Sequence, residues 1–172
     1  TKLELEDDFS WNGRYYVYGY GKFQGSRTQL ESAITLAYDT YGTVVDSNSK
    51  LVWKRYRSTQ ASIDGIVPVT SGDSIVNAVV AVSNYLGADF NAVSYMEQGH
   101  TAVETFDNIS GVHGISLTGI TYEKALSYVG DGSPVIARIG EDEYIIITAY
   151  NSSEIAYIEA STGAQKTVSM NE

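Results

Sequence analysis

The sequence predicts an α+β fold in which a central helix packs on an antiparallel sheet, preceded by a small β-α-β-β unit. Three observations predict it. Residues 73–87, DSIVNAVVAVSNYLG, carry apolar side chains on every side of a helical wheel, which places that helix inside a core. Four strand-like runs follow, at about 134–139, 143–150, 154–159 and 165–169, and their short connections imply antiparallel pairing. Tyrosine, a good strand former, occurs 14 times.

Residues 1–13 are acidic and polar and read as an arm ending in a turn at Asn12-Gly13. RYYVYGYGKF reads as one strand, with Tyr16, Tyr18 and Tyr20 on one face and Tyr15, Val17 and Gly19 on the other. A helix follows: Ser26 with Gln29, or Thr28 with Glu31, can form a capping box, Leu30, Ile34, Ala37 and Tyr41 recur at helical spacing, and Gly42 stops it. TVVDSNSKLVWKRY reads as two strands joined by a polar turn. Residues 14–57 therefore form the β-α-β-β module.

A connector around Pro68 leads to the Val-rich helix, with Asp73 or Ser74 as N-cap and Gly87 as stop. Its β-branched content favours strand, but its length and end signals favour helix. Residues 89–97 read as a short second helix. The stretch from Gln98 to Ile120 is irregular and holds both histidines, His100 and His113. TYEKALSYVGDG reads as a helix capped by Thr121 and closed by Gly130, and residues 60–172 as one domain.

The formal net charge of −10, with no basic stripe, disfavours nucleic acid and anionic membrane surfaces, and no apolar run reaches the length of a membrane span. Cysteine is absent, which excludes disulfides, thiolate metal sites and a thiol nucleophile. No cofactor motif is evident: YGYGKFQG lacks the spacing of a nucleotide loop. Because the chain opens on Thr1, a signal peptide, anchor or further domain is expected to have preceded it.

The order of segments resembles that of papain-like cysteine peptidases, and more closely the C39-like group. In that group the nucleophile begins a helix in a pattern resembling Cys-Gly-Pro-x-x-Leu-x-Met-x-Leu-x-Tyr-Leu-Gly. Aligned on the Asn84-Tyr85-Leu86-Gly87 ending, SIVNAVVAVSNYLG places Ser74 at the cysteine. Gly132-Ser133-Pro134-Val135-Ile136-Ala137 resembles the family's G-x-PVIA strand. EYIIITAYN resembles its histidine strand, with Glu143 at the histidine, and IAYIEASTG its acid strand, with Glu159 at the aspartate. The likeness covers residues 60–172. The stretch AITLAYDTYGTVVDSNSKLVWKR resembles a small module of exported proteins of Gram-positive anaerobes, which implies an extracellular or cell-surface location.

These departures remove the family's chemistry. A papain-type mechanism needs a thiolate activated by an imidazole and a helix N-terminus. A serine beside a glutamate lacks both, and a second glutamate has no imidazolium to steady. The glutamine that helps hold the oxyanion is missing from IVPVTSG, and Gln60 lies too far upstream. The bland readings are an N-cap for Ser74, a solvated charge for Glu143, and an exposed or loop-bonded carboxylate for Glu159. His100 and His113 show no metal-ligand spacing, so no metal is expected. Tyr16, Tyr18 and Tyr20 read as core packing or, if exposed, as a stacking surface for sugars or peptides. The expected function is a non-catalytic, exported pseudo-peptidase domain binding a peptide, a cell-wall fragment or a protein partner. The alternatives are an active hydrolase using Ser74 or a histidine-containing site, and a structural spacer in a larger surface protein.

Overall fold

The computed structural model describes residues 14–55 and 58–171. The expected polar arm, 1–13, lies outside them, as does the end of the first module at residue 57. The fold is α+β, with two antiparallel sheets and, among the described residues, five helices. The chain divides into two compact units. One holds residues 14–55 together with Leu117–Ser127. The other holds residues 58–116 and those from Tyr128 onward.

The first unit departs from the expected β-α-β-β order. RYYVYGYGKF is not one strand but a hairpin, β1 (Tyr15–Gly19) and β2 (Lys22–Arg27), so the order is β-β-α-β-β. Tyr20 and Gly21 form its two-residue turn with φ of +50° and +74°. A turn with both central φ positive suits the right-handed twist of paired strands. The usual Asn-Gly or Asp-Gly signal is missing because the first position is tyrosine. Helix α1 (Leu30–Asp39) starts at Gln29 with no side-chain cap, since Ser26 is still in β2. It buries Ala33, Ile34 and Ala37. Strands β3 (Thr43–Val45) and β4 (Leu51–Lys54) complete the sheet in the order β2-β1-β3-β4. Across it Val17 faces Val44, and Val44 faces Trp53, all buried. The Asp46 carboxylate closes the β3–β4 turn by accepting the Asn48 and Lys50 amides.

Leu117–Ser127 clusters with this unit, although the sequence places it in the second domain. The ties explain why: Trp53 Nε1 donates to Lys124 O at 2.9 Å, and the Ser127 hydroxyl donates to Lys54 O. Helix α5 (Tyr122–Gly130) starts in this segment and ends in the second unit.

The second unit is built on α2 (Ser74–Tyr85), in which every residue from Asn77 to Ser83 is buried. Burial of consecutive residues matches the all-round apolar wheel and overrides the strand preference of valine. Past Leu86, Gly87 takes φ +83° and the Ala88 amide reaches back to Ser83 O, ending the helix as the sequence predicts. Short helices α3 (Ala92–Glu97) and α4 (Ala102–Asp107) pack beside it. The sequence reading missed α4, although Thr101 and Glu104 form a complete capping box at its start. The sheet runs β5 (Ala61–Ser62), β7 (Glu143–Tyr150), β8 (Glu154–Glu159), β9 (Gln165–Ser169), with β6 (Val135–Ile139) also paired to β7. Helix α2 packs on β7, whose Ile145, Ile146 and Ile147 are all buried.

Candidate functional site

Helix α2 begins where β7 begins, and this fixes the site in the second unit. Ser74 is the first helical residue, and the N-cap is Asp73, whose side chain makes no capping bond. The Ser74 hydroxyl is turned to the sheet instead. It accepts the Tyr144 N–H at 2.8 Å and lies 3.2 Å from Glu143 Oε1, to which it donates. The same Glu143 oxygen accepts the Ser161 N–H at 3.2 Å. Ser74 is therefore not the N-cap, and half-buried Glu143 is more than a solvated charge.

One turn further along α2, Asn77 makes a second fastening. It is 1 % exposed. Its Oδ1 accepts the Gly72 N–H at 2.9 Å, and its Nδ2 donates to Gly72 O at 2.9 Å and Ala160 O at 3.0 Å. Ala160 N–H in turn donates to Tyr144 O at 2.9 Å. Ser74 and Asn77 thus tie the helix start to β7, to the β8–β9 turn and to the connector before the helix. The sequence reading treated Asn77 only as part of the helix. A lone asparagine in a Val-rich core helix is the signal that marks it, since a buried amide must find partners.

Glu159 lies directly across from Ile145, two residues along β7 from Glu143, so both glutamates share one face of the sheet. Glu159 does not join Ser74. Its carboxylate accepts from Lys166 Nζ at 2.5 Å and from the Thr162 hydroxyl at 2.8 Å. Those two bonds, Lys166 first, hold its carboxyl below the usual glutamate value. The bond to Glu159 likewise pushes the Lys166 ammonium up, and Glu143 adds to that. Lys166 supplies a positive charge beside Glu159 where the resembled family would have an imidazolium. It sits opposite Tyr157 on β9, diagonal to Glu159, a cross-strand relation invisible until register is known.

A groove of about 360 Å³ opens on the same unit, between the connector at Ser62–Ile66 and residues Ala156–Ile158 and Gln165–Thr167 of β8 and β9. The connector is held along the sheet by the Ile63 amide, which donates to Thr148 O at 2.7 Å. It also packs on the β8–β9 turn, where a Cβ on Gly163 would stand 3.0 Å from Pro68 Cβ. The groove is polar: Asp64 and Lys166 contribute opposite charges, and Ser62, Thr148 and Thr167 hydroxyls.

The histidines are occupied elsewhere. His100 Nδ1 lies 3.1 Å from Glu104 and its ring stacks on Tyr95 at 3.8 Å, while His113 Nδ1 lies 3.1 Å from Asp107. Among the described residues no group of three or more His, Asp or Glu is arranged to hold a metal ion. Tyr16, Tyr18 and Tyr20 do not form one surface. Tyr16 is fully buried, Tyr18 is half-buried with its ring against Phe23, and Tyr20 is exposed on the hairpin turn. No helix among the described residues is long and apolar enough to cross a membrane. No protein-family model, curated protein or solved structure matches the chain.

Proposed function

We propose that this chain is a non-catalytic domain on a papain-like, C39-like scaffold, and that it binds a peptide, a cell-wall fragment or a protein partner. The observation that carries this reading is the use made of Ser74. Its oxygen accepts a backbone amide of β7, and its glutamate neighbour accepts another amide from the β8–β9 turn. Both groups serve as fasteners between helix and sheet. A hydrolytic serine needs a base able to take its proton and a third group to orient that base. Here both histidines pair with acids of the α3–α4 region, and Glu159 is neutralised by Lys166.

The scaffold part of the reading is supported by position. A buried helix precedes an antiparallel sheet, its first residue touches the start of β7, and Glu159 closes the neighbouring β8 on the same face. Those are the relations that the likeness to C39-like peptidases requires of nucleophile, histidine and acid. The binding part is supported by the groove beside β9, which offers hydroxyls, both charges and a nearby strand to an extended ligand. The test is thermal unfolding with panels of peptides and cell-wall oligosaccharides. A ligand that raises Tm in the native chain, and less in Lys166→Ala, supports the groove. Turnover of any panel member that Ser74→Ala abolishes contradicts the non-catalytic reading.

A further inference from the structure

Two exposed tyrosines of the first unit hold a backbone conformation that large side chains seldom adopt: φ is +50° at Tyr20 and +54° at Tyr41. Tyr20 opens the turn between β1 and β2. Tyr41 follows the C-cap of α1, where the Gly42 amide reaches back to Ala37 O at 2.8 Å. Asn or Gly is the usual residue at such positions. Glycines draw the two turns together. A Cβ on Gly19 would lie 2.2 Å from Thr40 Oγ1, and one on Gly42 2.0 Å from Tyr18 O. Tyr20 is then fastened across the gap, its amide donating to Thr40 O at 3.1 Å and its hydroxyl to Asp39 O at 3.2 Å.

The outcome is a pair of rings 6.1 Å apart, tilted by 44°, and 65 % and 67 % exposed. A cation backs Tyr41. The Arg55 guanidinium carbon lies 4.2 Å from the Tyr41 ring centre and 4.1 Å from that of Tyr38, with its Nη1 donating to Tyr38 O. Lys22 follows the Tyr20-Gly21 turn directly. No carboxylate among the described residues pairs with Arg55 or Lys22. Among its described residues this unit has seven Lys and Arg against four Asp and Glu, and the described residues of the other unit have two against twelve.

Backbone strain kept at two neighbouring solvent-facing aromatics points to use rather than packing. We infer that Tyr20 and Tyr41 form a stacking platform for an acidic polysaccharide. Pyranose rings lay their C–H faces on the tyrosines, and Lys22 and Arg55 attract the carboxylates. This adds a second binding place, on the first unit, to the groove of the second, and rests on the reading of the chain as a non-catalytic binder.

The experiment is calorimetric titration of the whole chain with a short oligogalacturonate, an uncharged oligosaccharide of equal length, and a poly-glutamate peptide. The oligogalacturonate binds most tightly, and added salt weakens it. Tyr20→Asn/Tyr41→Gly lowers its affinity roughly tenfold or more, while Tm holds or rises because both replacements suit the turns. Lys22→Gln, at an exposed position, weakens the charged ligand and leaves the uncharged one unchanged. Absence of binding, undiminished binding by the double variant, or tighter binding of poly-glutamate overturns the inference. Such a failure with Ser74 still inert toward serine-directed reagents removes the platform alone and leaves the non-catalytic reading standing.

Discussion

Ser74 accepts the backbone N–H of Tyr144 at 2.8 Å, so the first turn of α2 is bolted to the start of β7 by a side chain that the likeness to peptidases puts at the nucleophile position. Ser74→Ala leaves that amide and Glu143 short of a partner. It is expected to cost about 1–2 kcal/mol of stability, read from urea unfolding. A variant as stable as the native chain contradicts a fastening role.

Asn77 is the more demanding fastener, because one buried amide satisfies Gly72 twice and Ala160 once. Asn77→Ala orphans three backbone groups and is expected to cost about 2–4 kcal/mol. Asn77→Asp loses the donors to Gly72 O and Ala160 O and places a carboxylate oxygen against both. It should be no better tolerated. The measurement is the urea midpoint at constant slope.

Ser83 presents the opposite case. Its hydroxyl is buried in α2 with no hydrogen-bond partner, so it lowers stability relative to alanine. Ser83→Ala is expected to raise Tm, with a gain of up to about 1 kcal/mol. A clear loss of stability would mean that the hydroxyl is satisfied.

The Glu159–Lys166 pair sets an acid-range dependence. The folded pKa of Glu159 is lowered, so between the folded and unfolded values the unfolded chain binds more protons and stability rises with pH. The contribution is present above the unfolded value, near the ordinary 4.5, and is lost as pH falls through the folded value. Glu104, held down by His100 and Thr101, acts in the same direction. Glu159→Gln is therefore expected to flatten the acid limb of a Tm-against-pH curve below pH 4.5. Lys166 adds the mirror effect in base: its raised pKa contributes below the unfolded value and is lost as pH climbs through the folded one.

Much of the second unit could be read from the chain. The four C-terminal strands fall at or within a residue of their expected places, because short polar turns leave hairpin pairing as the only economical connection. The buried helix was legible from its wheel. What stayed hidden depends on register or on unusual residues in usual places. Lys166 meets Glu159 only once β8 and β9 are aligned, and a tyrosine in a left-handed turn gives no local signal, so Tyr20 read as strand and Tyr41 as helix. The two-residue β5 is too short to carry a periodicity. At the candidate site the likeness to C39-like peptidases groups Ser74, Glu143 and Glu159; Ser74 and Glu143 meet, Glu159 turns to Lys166 and Thr162, and the partners that make fasteners of the first two are backbone amides, which no side-chain pattern reveals.

The central claim is that the Ser74 hydroxyl is committed to structure. Its most direct test is intact-mass analysis after treating the folded chain with a reactive fluorophosphonate. The account predicts an unmodified mass over hours at neutral pH. A single adduct mapped to Ser74, and absent from Ser74→Ala, would contradict it.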